Sequence, residues 1–176
     1  LQDLKPILET AAAHPSSSSS NTKTTLLVQV CNYGQVELFH NFVCTAKARG
    51  IENFGQHMIM FATDEATYEL CQTLGIPAFY DKDIFGDLPE EAAREYGDST
   101  FSKMMMAKVY GVHLVLTSGY NVLFQDVDVV WYKNPLPYFD SPEAEQWDMM
   151  FQDDGARSFR FAPYSPNTGE HSLLCR

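Results

Sequence analysis

Short apolar runs alternate in this chain with segments of helical periodicity, and that alternation limits the fold more than any single motif does. Leu26-Leu27-Val28-Gln29-Val30-Cys31 has the length and composition of a buried strand. Asn32-Tyr33-Gly34 breaks the run as a loop. From Val36 to Arg49 the apolar positions Leu38, Phe39, Phe42, Val43 and Ala46 follow helical spacing, and Gly50 fits the position just past a helix end. The pattern then repeats. His57–Ala62 reads as a second strand, Thr63 or Asp64 as the cap of a helix through Leu74 closed by Gly75. Ile76–Tyr80 reads as a short third strand, with Pro77 at its start or at a sheet edge. Such alternation implies an α/β fold of parallel β-α-β units, with ligands outside the carboxyl ends of the strands.

Residues 81–98 are acidic and loop-like. A longer helix is expected from Ser99 to Thr117, capped by Ser99 or Thr100 and ended by Gly119. Apolar side chains almost encircle it, which is the pattern of a fully buried helix, and its methionines read as core filler. Asn134-Pro135 fits an N-cap with proline at the first helical position of a short helix to Phe139, and Asp148–Gln152 reads as a further strand. Residues beyond Gly155 give no clear assignment. At the other end, Ala11–Ala13, Pro15 and Ser16–Ser20 suggest a flexible stalk over residues 1–24, with a short helix near Leu1–Thr10, ahead of a domain spanning 25–176. The chain starts with Leu1 rather than Met and has no apolar run of membrane-spanning length, so any membrane anchor is expected to lie upstream.

Tyr120–Trp131 carries the chemistry. Read as a strand, it projects Asp126 and Asp128 from one face, because side chains two apart share a face. Buried carboxylates need a partner, and two of them among Leu123, Phe124, Val129 and Val130 call for a hard divalent cation with oxygen ligands. The alternative is a solvated strand end with two ordinary acids. A formal net charge of -11, from 23 acidic against 12 basic side chains, repels phosphate backbones and excludes nucleic acid as the expected partner. A small anionic ligand would need local neutralisation, which a metal supplies. Cys31, Cys44 and Cys71 lie in apolar patterns and read as buried thiols. The five histidines, His14, His40, His57, His113 and His171, show no metal-ligand spacing.

Asn32-Tyr33-Gly34 after the first strand, then Gly119-Tyr120-Asn121-Val122-Leu123-Phe124-Gln125-Asp126-Val127-Asp128-Val129-Val130-Trp131 with Asn134-Pro135, resembles the nucleotide-diphospho-sugar transferase family, glycosyltransferase family 77. A bare D-x-D is weak evidence; D-x-D between G-Y-x-V-L-F and V-V-W-x-x-N-P is strong. The resemblance runs from about residue 26 to 169. It implies a Rossmann-like GT-A fold with a mostly parallel sheet, and a retaining transferase using manganese (or magnesium). The implied donor is a UDP-sugar, a pentose such as xylose or arabinose being favoured, and the acceptor a glycan or glycoprotein of the Golgi lumen or cell wall.

By the same resemblance Asp126 faces ribose and metal, and Asp128 is the firmer metal ligand. Asn32, Tyr33 and Gly34 would meet the base and ribose, Tyr33 by stacking and Gly34 by close backbone approach; they read equally well as an ordinary strand-to-helix turn. Lys103 is the candidate to reach the diphosphate, with Lys108 extending to solvent. Asp154, with Asp153, would serve the acceptor or the reacting sugar, or simply begin a turn before Gly155. Asn167-Thr168-Gly169 matches the family, but Glu170–Arg176 follows where the family has an aromatic residue. The chain is therefore expected to be incomplete at its carboxyl end, and a binding-only form of the fold competes with an active transferase. A haloacid-dehalogenase-like phosphatase with Asp126 as nucleophile is the outlying alternative. Its D-x-D belongs on a first strand, whereas here it comes after several.

Overall fold

Every residue of Thr25–Cys31 (β1) is buried, so the run that reads apolar on both faces lies at the centre of a covered sheet. The computed structural model describes residues 3–13, 23–139, 141–151 and 173–175. Met58–Ala62 (β2) and Asn121–Phe124 (β4) flank β1 in parallel, and Ala78–Phe79 (β3) extends the sheet beyond β2, again in parallel. On the other side Leu173–Cys175 (β6) pairs antiparallel with β4, and Met149–Phe151 (β5) antiparallel with β6. The order is β3-β2-β1-β4-β6-β5. The chain thus leaves β1 toward one edge and returns on the opposite side with β4. That reversal opens a crevice between the carboxyl ends of β1 and β4, where doubly wound sheets bind ligands.

Alternation along β1 divides the core into two layers. Leu27 and Cys31 face Phe39, Phe42 and Ala46 of the helix Val36–Ala48 (α2) and Cys71 of Glu65–Leu74 (α3). Leu26, Val28 and Val30 face Met104, Ala107 and Val115 of Ser99–Thr117 (α5). Glycines close two of these helices as expected, Gly50 after α2 at φ 69° and Gly75 after α3 at φ 68°. The short helices Lys82–Phe85 (α4), Leu136–Phe139 (α6) and Pro142–Glu145 (α7) complete the description. Asn134 caps α6 through Leu136 N at 3.0 Å.

Several expectations need correction. The first helix, Leu4–Ala12 (α1), is no part of a free stalk: Leu4, Leu8 and Ala11 are buried in the same layer as α5. The cap of α5 is Asp98, whose carboxylate accepts from Phe101 N, rather than Ser99 or Thr100. Nor is α5 buried all round. Its core face is the stripe Met104, Ala107, Gly111 and Val115, while Met106, Val109 and Tyr110 are exposed, because the sheet covers only one side of the helix. Gly111 lets that stripe press close, since a Cβ there would stand 3.0 Å from the Phe61 ring. The third strand contracts to Ala78–Phe79, and Cys44 is exposed. Leu173–Cys175, which gave no clear signal, forms a strand inside the sheet.

Candidate active site

The two aspartates do not share a strand face. β4 ends at Phe124, and Asp126 and Asp128 lie in the turn that follows it. Asp126 is buried, Asp128 exposed. The turn is fixed at its flanks by buried polar side chains. Gln125 N donates to Val28 O on β1 at 3.3 Å, and Gln125 Oε1 accepts from Trp131 Nε1 at 2.6 Å. Trp131 is itself locked edge-on against Phe42 of α2, with ring centroids 5.3 Å apart. Gln29, wholly buried on β1, reaches the main-chain oxygen of Asp126 at 3.4 Å. The strand-like appearance of Gln125–Trp131 in the sequence comes from this apolar anchoring of a turn.

A cavity of about 100 Å³ sits at the topological switch point. Asn32 and Val30 from the end of β1, Met104 and Lys108 from α5, and Asp126 and Asp128 all line it. The Lys108 ammonium lies 2.5 Å from Asp126 Oδ1, both side chains being largely buried. Apart from that ion pair, among the described residues Asp126 Oδ1 accepts no hydrogen bond, and Asn32 Oδ1 is a buried acceptor without a donor. Two buried oxygens, one facing an ammonium and one lacking a donor among the described residues, stand beside an exposed carboxylate and form a set suited to a hard cation. Among the described residues no three His, Cys, Asp or Glu side chains come together as a metal site. Two carboxylates completed by ligand phosphates are, however, a common way to hold magnesium-like ions.

The lysine at the carboxylates is Lys108, not Lys103. Lys103 is exposed and donates to Asp87 O at 3.2 Å, and it does not line the cavity. Helical spacing decides this: Lys108 lies between the buried positions Met104 and Gly111 and the exposed ones, whereas Lys103 lies on the outer side. Gly34 does permit a close backbone approach, but to the chain's own Glu91–Ala92 segment; a Cβ there would stand 2.1 Å from Ala92 N. Asn32 Nδ2 donates to Pro89 O and Glu91 O, both at 2.9 Å, fastening the same segment over the first loop. Tyr33 is 57% exposed, and its N–H donates to Asp64 Oδ2 at 2.7 Å. Asp153, Asp154 and Asn167–Gly169 lie outside the described residues. Gln29 and Gln125 are the site residues that sequence reasoning missed, and Lys108, expected to extend to solvent, belongs with them; two glutamines inside apolar strand runs were the available signal.

The thiols near this crevice are inert by environment. Burial, followed by Cys71 and Asp64, pushes the Cys31 thiol far above the ordinary range. Burial and Asp64 push Cys71 up to about 12.

A family model for nucleotide-diphospho-sugar transferases matches residues 53–170, more than half of the chain. Beta-arabinofuranosyltransferase RAY1 of Arabidopsis thaliana is 32% identical over 122 residues, covering 66% of this chain and 21% of that protein. Arabinosyltransferase XEG113 of the same plant is 34% identical over 90 residues, 51% of this chain and 13% of that protein. A UDP-galactose:fucoside alpha-3-galactosyltransferase of Dictyostelium discoideum is 27% identical over 134 residues, 64% of this chain and 20% of that protein. The chain thus spans about a fifth or less of these relatives. No solved structure matches. Sheet order, crevice and family model agree on a Rossmann-like GT-A fold, and the chain belongs to the nucleotide-diphospho-sugar transferase family.

Proposed function

We propose that this chain carries the donor-binding half of a metal-dependent glycosyltransferase, moving a sugar from a nucleotide-diphospho-sugar to a glycan or glycoprotein acceptor. The observation that carries the reading is the meeting of Asp126, Asp128 and Asn32 in one cavity at the sheet's switch point, with Asp126 Oδ1 facing the Lys108 ammonium and Asn32 Oδ1 buried without a donor among the described residues. Asp126 and Asp128 would hold manganese or magnesium, which supplies charge stabilisation to the departing nucleoside diphosphate. The cavity is well below the roughly 300–1,000 Å³ of a pocket that encloses a whole small ligand. It suits a cation and part of a diphosphate, with nucleoside and sugar extending outward past exposed Tyr33.

UDP is the favoured nucleotide. Two relatives carry UDP-sugars in their names, the galactosyltransferase and an Arabidopsis UDP-D-xylose:L-fucose alpha-1,3-D-xylosyltransferase 30% identical over 67 residues. Arabinosyl and xylosyl transfer among the relatives favours a pentose donor. A retaining outcome and residence in the Golgi lumen, with cell-wall glycans as acceptors, complete the proposal. Among the described residues no helix is long and apolar enough to cross a membrane. Calorimetric titration of UDP with and without manganese tests the reading: manganese-dependent binding is expected, and equal or absent binding in both buffers would contradict it.

A further inference from the structure

Asp126 already has a cation. The Lys108 ammonium reaches its Oδ1 from α5, inside the cavity that Asp128 and Asn32 also line. Such a lysine is an odd choice for a purely structural partner. Its four-carbon stem has rotatable freedom that a buried brace does not need, and the ammonium can be redirected to any anion entering the same cavity. Resting on the metal reading above, we propose that Lys108 is a built-in competitor for the divalent cation, released only when a nucleoside diphosphate enters with the metal. Asp126 and Asp128 contribute two negative charges and Lys108 one positive. Adding a divalent cation alone leaves this small cavity with excess positive charge beside the ammonium. Adding the diphosphate as well supplies the anion that the displaced ammonium can pair with. Metal and nucleotide binding are then coupled, and coupling of binding free energies is reciprocal.

The test is manganese binding in the absence and presence of UDP, followed by the electron paramagnetic resonance signal of free manganese, on the full chain and on Lys108→Met, Lys108→Gln and Lys108→Arg. Glutamine keeps a neutral donor toward Asp126, so it tests the charge if the methionine variant fails to fold. Removing one positive charge next to the metal should tighten manganese binding without UDP by about tenfold or more. The gain in manganese affinity that UDP brings should shrink in the same variants, and Lys108→Arg should stay near the original chain. Unchanged or weaker manganese binding in both neutral variants, with manganese-dependent UDP binding intact in the original chain, would overturn the competitor role alone. No manganese binding by any of the four proteins, with or without UDP, would overturn the metal reading and this role together.

Discussion

Asp64 and Asp126 invite comparison: two buried carboxylates, at the carboxyl ends of β2 and β4, on either side of β1. Asp64 is satisfied twice over by backbone. Its Oδ1 accepts from Thr67 N at 2.8 Å, capping α3, and its Oδ2 accepts from Tyr33 N at 2.7 Å, tying the first loop to the second. Among the described residues Asp126 Oδ1 makes no such bond to backbone, and the Lys108 ammonium stands against it. An acid that feeds both oxygens to fixed N–H groups is a structural fastener. An acid held by one exchangeable charge is available to something else. Burial alone therefore does not identify a functional carboxylate; the nature of its partners does.

The contrast predicts opposite outcomes for similar mutations. Asp64→Ala should be the most damaging, losing the α3 cap and leaving the buried Thr67 N–H and the partly buried Tyr33 N–H unpaired, at about 3 kcal/mol. Chemical denaturation would read this as a lower midpoint, and an unchanged midpoint would remove the fastener role. Gly34→Ala should cost about 2 kcal/mol by forcing Glu91–Ala92 off the first loop, an overpacking penalty. Removing the indole donor by Trp131→Phe leaves Gln125 Oε1 buried without a partner and should cost about 1–2 kcal/mol, with weakened manganese-dependent UDP binding as the turn loosens.

Two smaller effects sharpen the same division. Asp98 caps α5 through Phe101 N, with Glu95 N and Arg94 N also donating, and these bonds hold its carboxyl below the ordinary value of 3.8. A carboxyl with a depressed folded-state value stabilises the protein above the unfolded-state value and loses that contribution as pH falls through the folded one. The melting temperature should therefore fall less steeply on acidification in Asp98→Ala, within the range at and below ordinary carboxylate titration. Exposed Cys44 should be alkylated rapidly near neutral pH, while Cys31 and Cys71 stay protected until the protein unfolds. Mass spectrometry of labelled peptides distinguishes these cases.

The sheet was legible in the sequence because buried parallel strands read as continuous apolar runs, and the glycines at 50 and 75 marked helix ends by their conformational need. Asp64 as a cap was legible for the same local reason. Two kinds of information were not. Leu4, Leu8 and Ala11 are buried by packing against distant strands, which a serine-rich neighbour sequence disguises. The turn after β4 looked like strand because Val127 and Trp131 are buried there for tertiary reasons, with Gln125 and Trp131 bonding to each other. The choice between Lys103 and Lys108 likewise depended on how α5 is rotated over the sheet.

The most direct test of the division between fastener and ligand site sets Asp126→Asn beside Asp64→Asn, each titrated with UDP in manganese and unfolded in denaturant. The expected result is loss of manganese-dependent UDP binding under folding conditions for Asp126→Asn, and UDP binding retained under folding conditions with a lowered midpoint for Asp64→Asn. Full UDP binding by Asp126→Asn in manganese would contradict the assignment of this turn as the donor site.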